Sequence, residues 1–229
     1  MGNFKYHLFN PRELNSETAM LSNKIYEAWC AVYSEVLGAV NEPLNADDFH
    51  RNDIIVCITD GDKDDRIVGF HLYSVFDLRS KAHLDHHYMK AFDEVTLSRF
   101  RQRGITTLMS MEYLTVLPEY RSRNTDVNWS EIIIALGSRV MDVSPGWDAV
   151  IGTGRKDLHV RRKAAHSGLE YFGDVMKMNY VCEILLAQKG RITRFEDPKT
   201  AALVDSLWAE KNCHIPFLNQ ETKYNKKAA

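Results

Sequence analysis

The residues best suited to do chemistry lie close together in the middle of the chain. Glu112 sits in an apolar, strand-forming run over residues 106–116, which Pro118 stops. A carboxylate placed there could act as a general base, taking a proton directly or through water; its plain alternative is a solvated strand glutamate. Behind it, Tyr113, Leu114, Thr115 and Val116 would offer backbone N–H and C=O groups to a ligand built as a chain of amides, which pairs as an added strand does. Arg121 and Arg123 then lead toward a helix over residues 130–143. The free N–H groups and positive dipole end of a helix start suit an anion such as a pyrophosphate, and two arginines add charge beside it.

Positioning these residues requires a sheet with helices around it. Residues 5–9 form a short candidate strand. Asn15-Ser16-Glu17 reads as a helix start with Ser16 as cap, and Met20, Leu21, Ile25, Ala28, Trp29, Val32, Val36 and Leu37 recur at helical spacing as far as Gly38. Residues 41–53 read as polar loop. The β-branched run 54–58, an acidic turn at 60–65 and a returning strand over 67–76 predict a hairpin. Residues 79–105 mix polar residues with Leu84, Tyr88, Met89, Phe92, Val95, Leu97 and Phe100, and are expected to form a helical insertion, a lid between strands that ends at Gly104. A short strand at 149–152, a basic helix over 158–167 stopped by Gly168, and a final strand over 179–187 follow. The remaining residues read as a charged tail with one helix near 200–211. The expected fold class is α/β: a mixed, partly antiparallel central sheet flanked by helices, with one domain over 1–190 and a C-terminal extension over 191–229.

The octamer Leu114-Thr115-Val116-Leu117-Pro118-Glu119-Tyr120-Arg121 resembles the strand-to-loop segment of the Gcn5-related N-acetyltransferases, which commonly reads L-x-V-x-P-E-Y-R. The order of elements over roughly residues 50–187 is also similar to that family. The resemblance implies an N-acyltransferase that moves an acyl group from a thioester, acetyl-CoA or another acyl-CoA, to the amine of a small molecule or peptide. It implies a pantetheine arm along Leu114, Thr115 and Val116, and phosphates at Arg121, Ser122, Arg123, Asn124 and Thr125. Glu112 falls where that family often has a glutamate, and Asp157 where it often has an asparagine.

The chain departs from the family at two places. The usual loop has glycines whose amides close on phosphate oxygens; here Asn124 and Asp126 stand there. Asn tolerates the left-handed conformation, whereas Asp126 puts a negative charge where phosphate should sit. Three outcomes stay open: altered CoA binding, a carrier-protein thioester as donor, or a dead donor site. The tyrosine that often acts as general acid is replaced by Ala164, leaving Tyr171, Tyr120, His166 or a water as substitutes, with Tyr171 carried forward. A long-chain N-acyl amino acid or signal synthase fed by acyl carrier protein, and a catalytically inactive binding domain, are the competing readings.

Composition narrows the rest. With 229 residues, 45% hydrophobic and 26% charged, the chain can bury one ordinary α/β core. A net charge of -2 gives nucleic acid no bulk attraction. The four cysteines form no CxxC pair, and Cys57 and Cys182 read as buried small hydrophobes. His83, Asp85, His86 and His87 are dense enough to consider a metal shared by His83 and His87 at helical spacing, but no third ligand is evident and no metal is expected. Arg155, Lys156, His159, Arg161, Arg162 and Lys163 read as a solvated basic face that could instead meet a donor phosphate or an acidic carrier protein. No signal peptide or membrane span is apparent, so a cytoplasmic protein, free or oligomeric, is expected.

Overall fold

A computed structural model describes residues 2–193 and 195–219; the last ten residues of the expected extension lie outside them. Strand β1 (Phe4–Phe9) leads to helix α1 (Ser16–Gly38). The helix is capped by Asn15 rather than Ser16: the Asn15 side chain accepts from the Thr18 amide, and the Thr18 hydroxyl accepts from the Asn15 amide. A one-turn helix, α2 (Asp47–His50), interrupts the expected loop because Phe49 has an apolar slot to fill. The hairpin follows as β2 (Ile54–Asp60) and β3 (Arg66–Tyr73), with β4 (Val75–Asp77) continuing the line after Ser74.

The insertion contains α3 (Lys81–Leu84), a 3-10 turn at Met89–Ala91, and α4 (Glu94–Gln102), whose cap Asp93 accepts from the Thr96 amide. Strand β5 (Thr107–Val116), helix α5 (Trp129–Val143), strand β6 (Ala149–Arg155) and the short helix α6 (Val160–Ala165) come next. The expected single final strand is a hairpin, β7 (Glu170–Lys177) and β8 (Tyr180–Gln188). Its turn residues Met178 and Asn179 both have positive φ, 49° and 58°. A two-residue turn of this kind normally announces itself with Gly, which this one lacks. Helix α7 (Pro198–Ala209) and a two-residue strand β9 (Asn212–Cys213) complete the described chain.

The strands form one mixed sheet in the order β7-β8-β6-β5-β3-β2-β1-β9, with β4 also pairing β5. Period-two alternation divides its side chains between two faces. Val56, Val68, Met109 and Val150 meet α5, which contributes Ile132, Ile133, Leu136 and Val140; Val204 and Leu207 of α7 join the same cluster. On the other face, Ile55, Cys57, Phe70 and Leu72 receive Leu21, Ile25 and Trp29 of α1. Beside α1, Phe92 and Phe100 of the insertion pack with Leu108, Ile151, Phe172 and Leu186. The C-terminal segment is part of this body: β9 adds to β1 in parallel, and Ile215 and Leu218 are buried in the α5 cluster. Among the described residues no helix is long and apolar enough to cross a membrane.

Phe100 is fully buried and stacks on Phe172 with ring centroids 4.9 Å apart, tying α4 to β7. Phe100→Ala is expected to lower stability by about 3–5 kcal/mol, read as a fall in the unfolding midpoint in denaturant.

Candidate active site

The site begins where two parallel strands stop pairing. β5 and β6 run side by side from Leu108 opposite Ala149 to Met111 opposite Gly152. Beyond that point β5 pairs only with β3, and β6 only with β8. On β5 the register against β3 shifts: Leu72 faces Glu112, yet Phe70 faces Thr115. Glu112 to Thr115 thus spans one residue more than the partner strand, and Tyr113 absorbs the excess at φ 59°. Such a bulge bends a strand and re-aims its side chains. A non-glycine residue in the left-handed region costs about 1–2 kcal/mol, which the packing of Tyr113 offsets. Its ring meets Trp29 and Tyr33 edge-on, at 5.6 Å and 4.9 Å between centroids.

A cleft of about 180 Å³ opens between the parted strands. Tyr113 and Leu114 form one wall, and Thr153, Gly154 and Arg155 the other. Ile134 of α5, together with Val160, Ala164, Leu169 and Leu185, makes much of the lining apolar. Gly154 is required where it stands, since a Cβ there would lie 2.7 Å from Val160 Cβ. Tyr33 and Val36 of α1 and the β7–β8 turn close the remaining side. The turn is held down by the Tyr180 hydroxyl, which donates to the Val36 carbonyl at 3.1 Å, and by the Asn179 amide on Glu42 at 3.2 Å.

Glu112 lines this cleft and is buried. Its two oxygens face the Arg51 guanidinium, at 3.3 Å and 2.5 Å, and one also accepts from the Ser110 hydroxyl at 2.7 Å. Burial pushes the carboxyl pKa up, but Lys177, Arg51 and these hydrogen bonds outweigh it and hold the group below its ordinary value. Arg51 is fixed in turn by Asp48 at 3.2 Å. His71, opposite the bulge, also lines the cleft; burial lowers its pKa to about 3, and its Nδ1 has no hydrogen-bond partner among the described residues. The imidazole is therefore neutral at physiological pH.

The structure brings some of the expected residues together and keeps others apart. Glu112 and Leu114 share the cleft. Thr115 and Val116 continue the same strand, with Thr115 turned inward so that its hydroxyl donates to the Tyr113 carbonyl. Arg121, Ser122, Arg123, Asn124 and Thr125 lie in the loop before α5, outside the cleft lining. Asn124 does not take the left-handed conformation; its side chain donates to the Pro118 carbonyl at 2.7 Å, closing the loop on itself. Thr125 likewise donates to the Val127 carbonyl. Asp126 is exposed. Asp157 pairs with Arg155 in a hollow that shares Tyr180 with the cleft.

Tyr171 is not brought to the cleft. It is exposed on β7, its hydroxyl bonds Asp174 and Arg161 covers its ring. His166 sits against Glu131 of α5, and the Tyr120 hydroxyl donates to Asp60. Nor do His83 and His87 share a helix: α3 ends at Leu84, His83 accepts from the Asp77 amide, and His87 turns to Asp48. Among the described residues no cluster suits a metal ion. Arg51, His71, Thr153 and Lys177 went unrecognised in the sequence. Arg51 and Lys177 are charged residues with no local pattern around them, and only long-range packing brings them to Glu112.

Solved structures share the overall fold. The chain superposes on a CoA-dependent acyl-homoserine lactone synthase, BjaI, bound to SAM and isopentyl-CoA, at a TM-score of 0.57, 10% identity, over 95% of this chain and 98% of that one. For arylalkylamine N-acetyltransferase 2 from Aedes aegypti the TM-score is 0.56 at 11% identity, over 81% and 99%. For Arabidopsis thaliana NAA60 in complex with acetyl-CoA it is 0.51 at 9%, over 81% and 98%. The chain has the fold of the Gcn5-related N-acetyltransferases. No family model and no curated protein matches the sequence. Within this fold, residues 79–105 form the helical layer beside α1, and the C-terminal segment pairs with β1 at the far edge.

Removing Arg51 leaves a buried carboxylate without its main partner. Arg51→Met is expected to cost about 3–5 kcal/mol near neutral pH. In the wild type the depressed Glu112 pKa gives stability that is present above its ordinary value of 4.5 and lost as pH falls through the folded-state value. Denaturant titrations from pH 7 to pH 3 should show the gap between wild type and variant narrowing on the acid side.

Proposed function

We propose that this protein is an N-acyltransferase: an amine attacks the carbonyl of an acyl thioester held between β5 and β6, and the thiol leaves. The observation that carries this reading is the cleft at the parting of β5 and β6, with a buried, ionised Glu112 on its floor. An unpaired strand edge gives a pantetheine arm, itself a chain of amides, backbone partners along Leu114 to Val116. The loop Arg121 to Thr125 and the first turn of α5 would meet the donor's phosphates, with Arg121 and Arg123 supplying charge. Support also comes from solved structures of this fold, which include complexes with acetyl-CoA and with isopentyl-CoA. Fold-level likeness alone does not assign an activity; the cleft is what supports this reading.

Glu112 has both oxygens occupied, so its part is to fix Arg51 beside the cleft. No metal takes part in this reading, and the co-substrate is an acyl-CoA.

A second reading is a signal or N-acyl amino acid synthase that takes a longer acyl group from acyl carrier protein. Two observations favour it. Ile134, Leu158, Val160, Leu169 and Leu185 give the cleft room for hydrocarbon rather than for acetyl alone. Arg162 and Lys163 of α6, the helix whose Val160 and Ala164 line the cleft, add positive charge near it, as an acidic carrier would need.

Thermal unfolding with free CoA, acetyl-CoA, octanoyl-CoA and octanoyl-carrier protein separates these. A ligand at one hundred times its Kd adds about 2.7 kcal/mol of stability. Octanoyl-CoA is expected to raise the melting temperature more than acetyl-CoA or CoA, because the acyl chain buries apolar surface. A shift from the octanoyl-carrier protein and none from octanoyl-CoA supports the second reading. No shift from any donor leaves a binding domain with a dead donor site.

A further inference from the structure

Among the described residues, the cleft holds one cationic group that hydrogen bonds leave almost free. Arg155 is forked onto Asp157 and lies 3.8 Å from the centroid of the Tyr180 ring. The hydroxyls of Tyr33 and Tyr180 are directed at the carbonyls of Leu114 and Val36. Glu112 is saturated, His71 is neutral, and burial pushes the Cys182 thiol pKa up. Lys177 differs. Its amine makes one long hydrogen bond, 3.4 Å to Thr153 Oγ1, and lies 3.5 Å from the centroid of the Tyr88 ring. It is half-buried and lines the cleft.

The fold works to put it there. Lys177 is the last residue of β7, paired with Tyr180 across the Met178-Asn179 turn. That turn is pinned to α1 and the segment after it by Tyr180 and Asn179. The groups that face Lys177 are Glu112 of β5, Arg51 and Asp48 from the α2 region, His87 and Tyr88 of the insertion, Thr153 of β6 and Cys182 of β8. On the opposite wall Ala164 presents only a methyl group.

We propose that Lys177 is the general base of the acyl transfer, its neutral amine taking the proton from the acceptor nitrogen as that nitrogen bonds to the thioester carbonyl. This rests on the acyltransferase reading above. The acceptor N–C bond forms, the nitrogen's proton passes to Lys177, and the C–S bond breaks to release a thiolate. The Lys177 ammonium then returns the proton to that thiolate, so amide and thiol are the net products and the amine is regenerated. Proton removal matters because a protonated nitrogen would leave the tetrahedral adduct in competition with the thiolate. A base works best when it titrates near the working pH. Desolvation lowers the pKa of Lys177 to about 8 against the attraction of Glu112, with Arg51 lowering it further.

The test uses the full-length protein, acetyl-CoA and octanoyl-CoA as donors, tyramine, agmatine and phenethylamine as acceptors, and thiol release as readout. In the wild type kcat is expected to rise with pH to a plateau above about 8. Lys177→Arg and Lys177→Met should lose about a hundredfold or more in kcat, keep the donor-induced thermal shift, and lose the pH dependence. An Arg variant that keeps both kcat and the pH limb overturns the proposal while leaving the acyltransferase reading intact. A wild type that neither shifts with an acyl-CoA nor releases thiol overturns that reading, and the proposal with it. Competitive labelling of the wild type with acetic anhydride, read by peptide mass, needs no variant: Lys177 should titrate near 8, and an ordinary lysine profile near 10.5 overturns the assignment.

Discussion

The parting of β5 from β6 is the constraint on which this molecule's site depends. A parallel pair that separates mid-sheet exposes two rows of backbone groups, and unpaired buried backbone groups are costly. The chain manages the break by pairing each strand with its other neighbour, β3 on one side and β8 on the other. The bulge at Tyr113 turns β5 away, and α5 covers the gap from one face with Ile134. The remaining space is the cleft. Its position therefore follows from where sheet register fails, and its contents from which side chains the bulge re-aims.

Charge is placed in that cleft sparingly and in balance. Glu112 carries one negative charge, answered by Arg51 and Lys177, with Asp48 answering Arg51. Such a set is stable only complete, since each member removed leaves its partner buried and uncompensated. The same set serves function: it holds Glu112 ionised, while burial, helped by Arg51, draws the Lys177 amine toward neutrality. Stability and chemistry are thus drawn from one group of residues contributed by the α2 region, β5 and β7.

Two parts of the chain that look peripheral act on this centre. The insertion supplies Tyr88, whose ring lies under the Lys177 amine, and its Phe100 clamps β7 through Phe172. The C-terminal segment works at a distance. Helix α7 packs in the cluster that holds α5, with Arg139 of α5 paired to Asp205, and β9 extends the sheet past β1. By fixing α5 it fixes the helix that walls the cleft.

Much of the fold was legible in the sequence. The hairpin β2–β3, the strand–helix–strand run from β5 to β6 and the long α1 follow from residue period, because burial of one face imposes that period directly. Glu112, Leu114 and the strand they sit on could be located for the same reason. Other features depended on packing. Strand β7 was missed because its turn, Met178-Asn179, has no glycine and is forced into positive φ by the hairpin's own pairing. Asn124 could have tolerated the left-handed conformation; the structure leaves it out of that region, with its side chain bonded to the Pro118 carbonyl. Tyr171 was a candidate by residue type, and strand alternation turned it outward. The sequence alone determined which segments become strands and helices, since that depends on neighbours a few residues away. Only the tertiary structure decided which charges meet, because Arg51, Glu112 and Lys177 are far apart in the chain and are joined by sheet order and bulge geometry that no local pattern encodes.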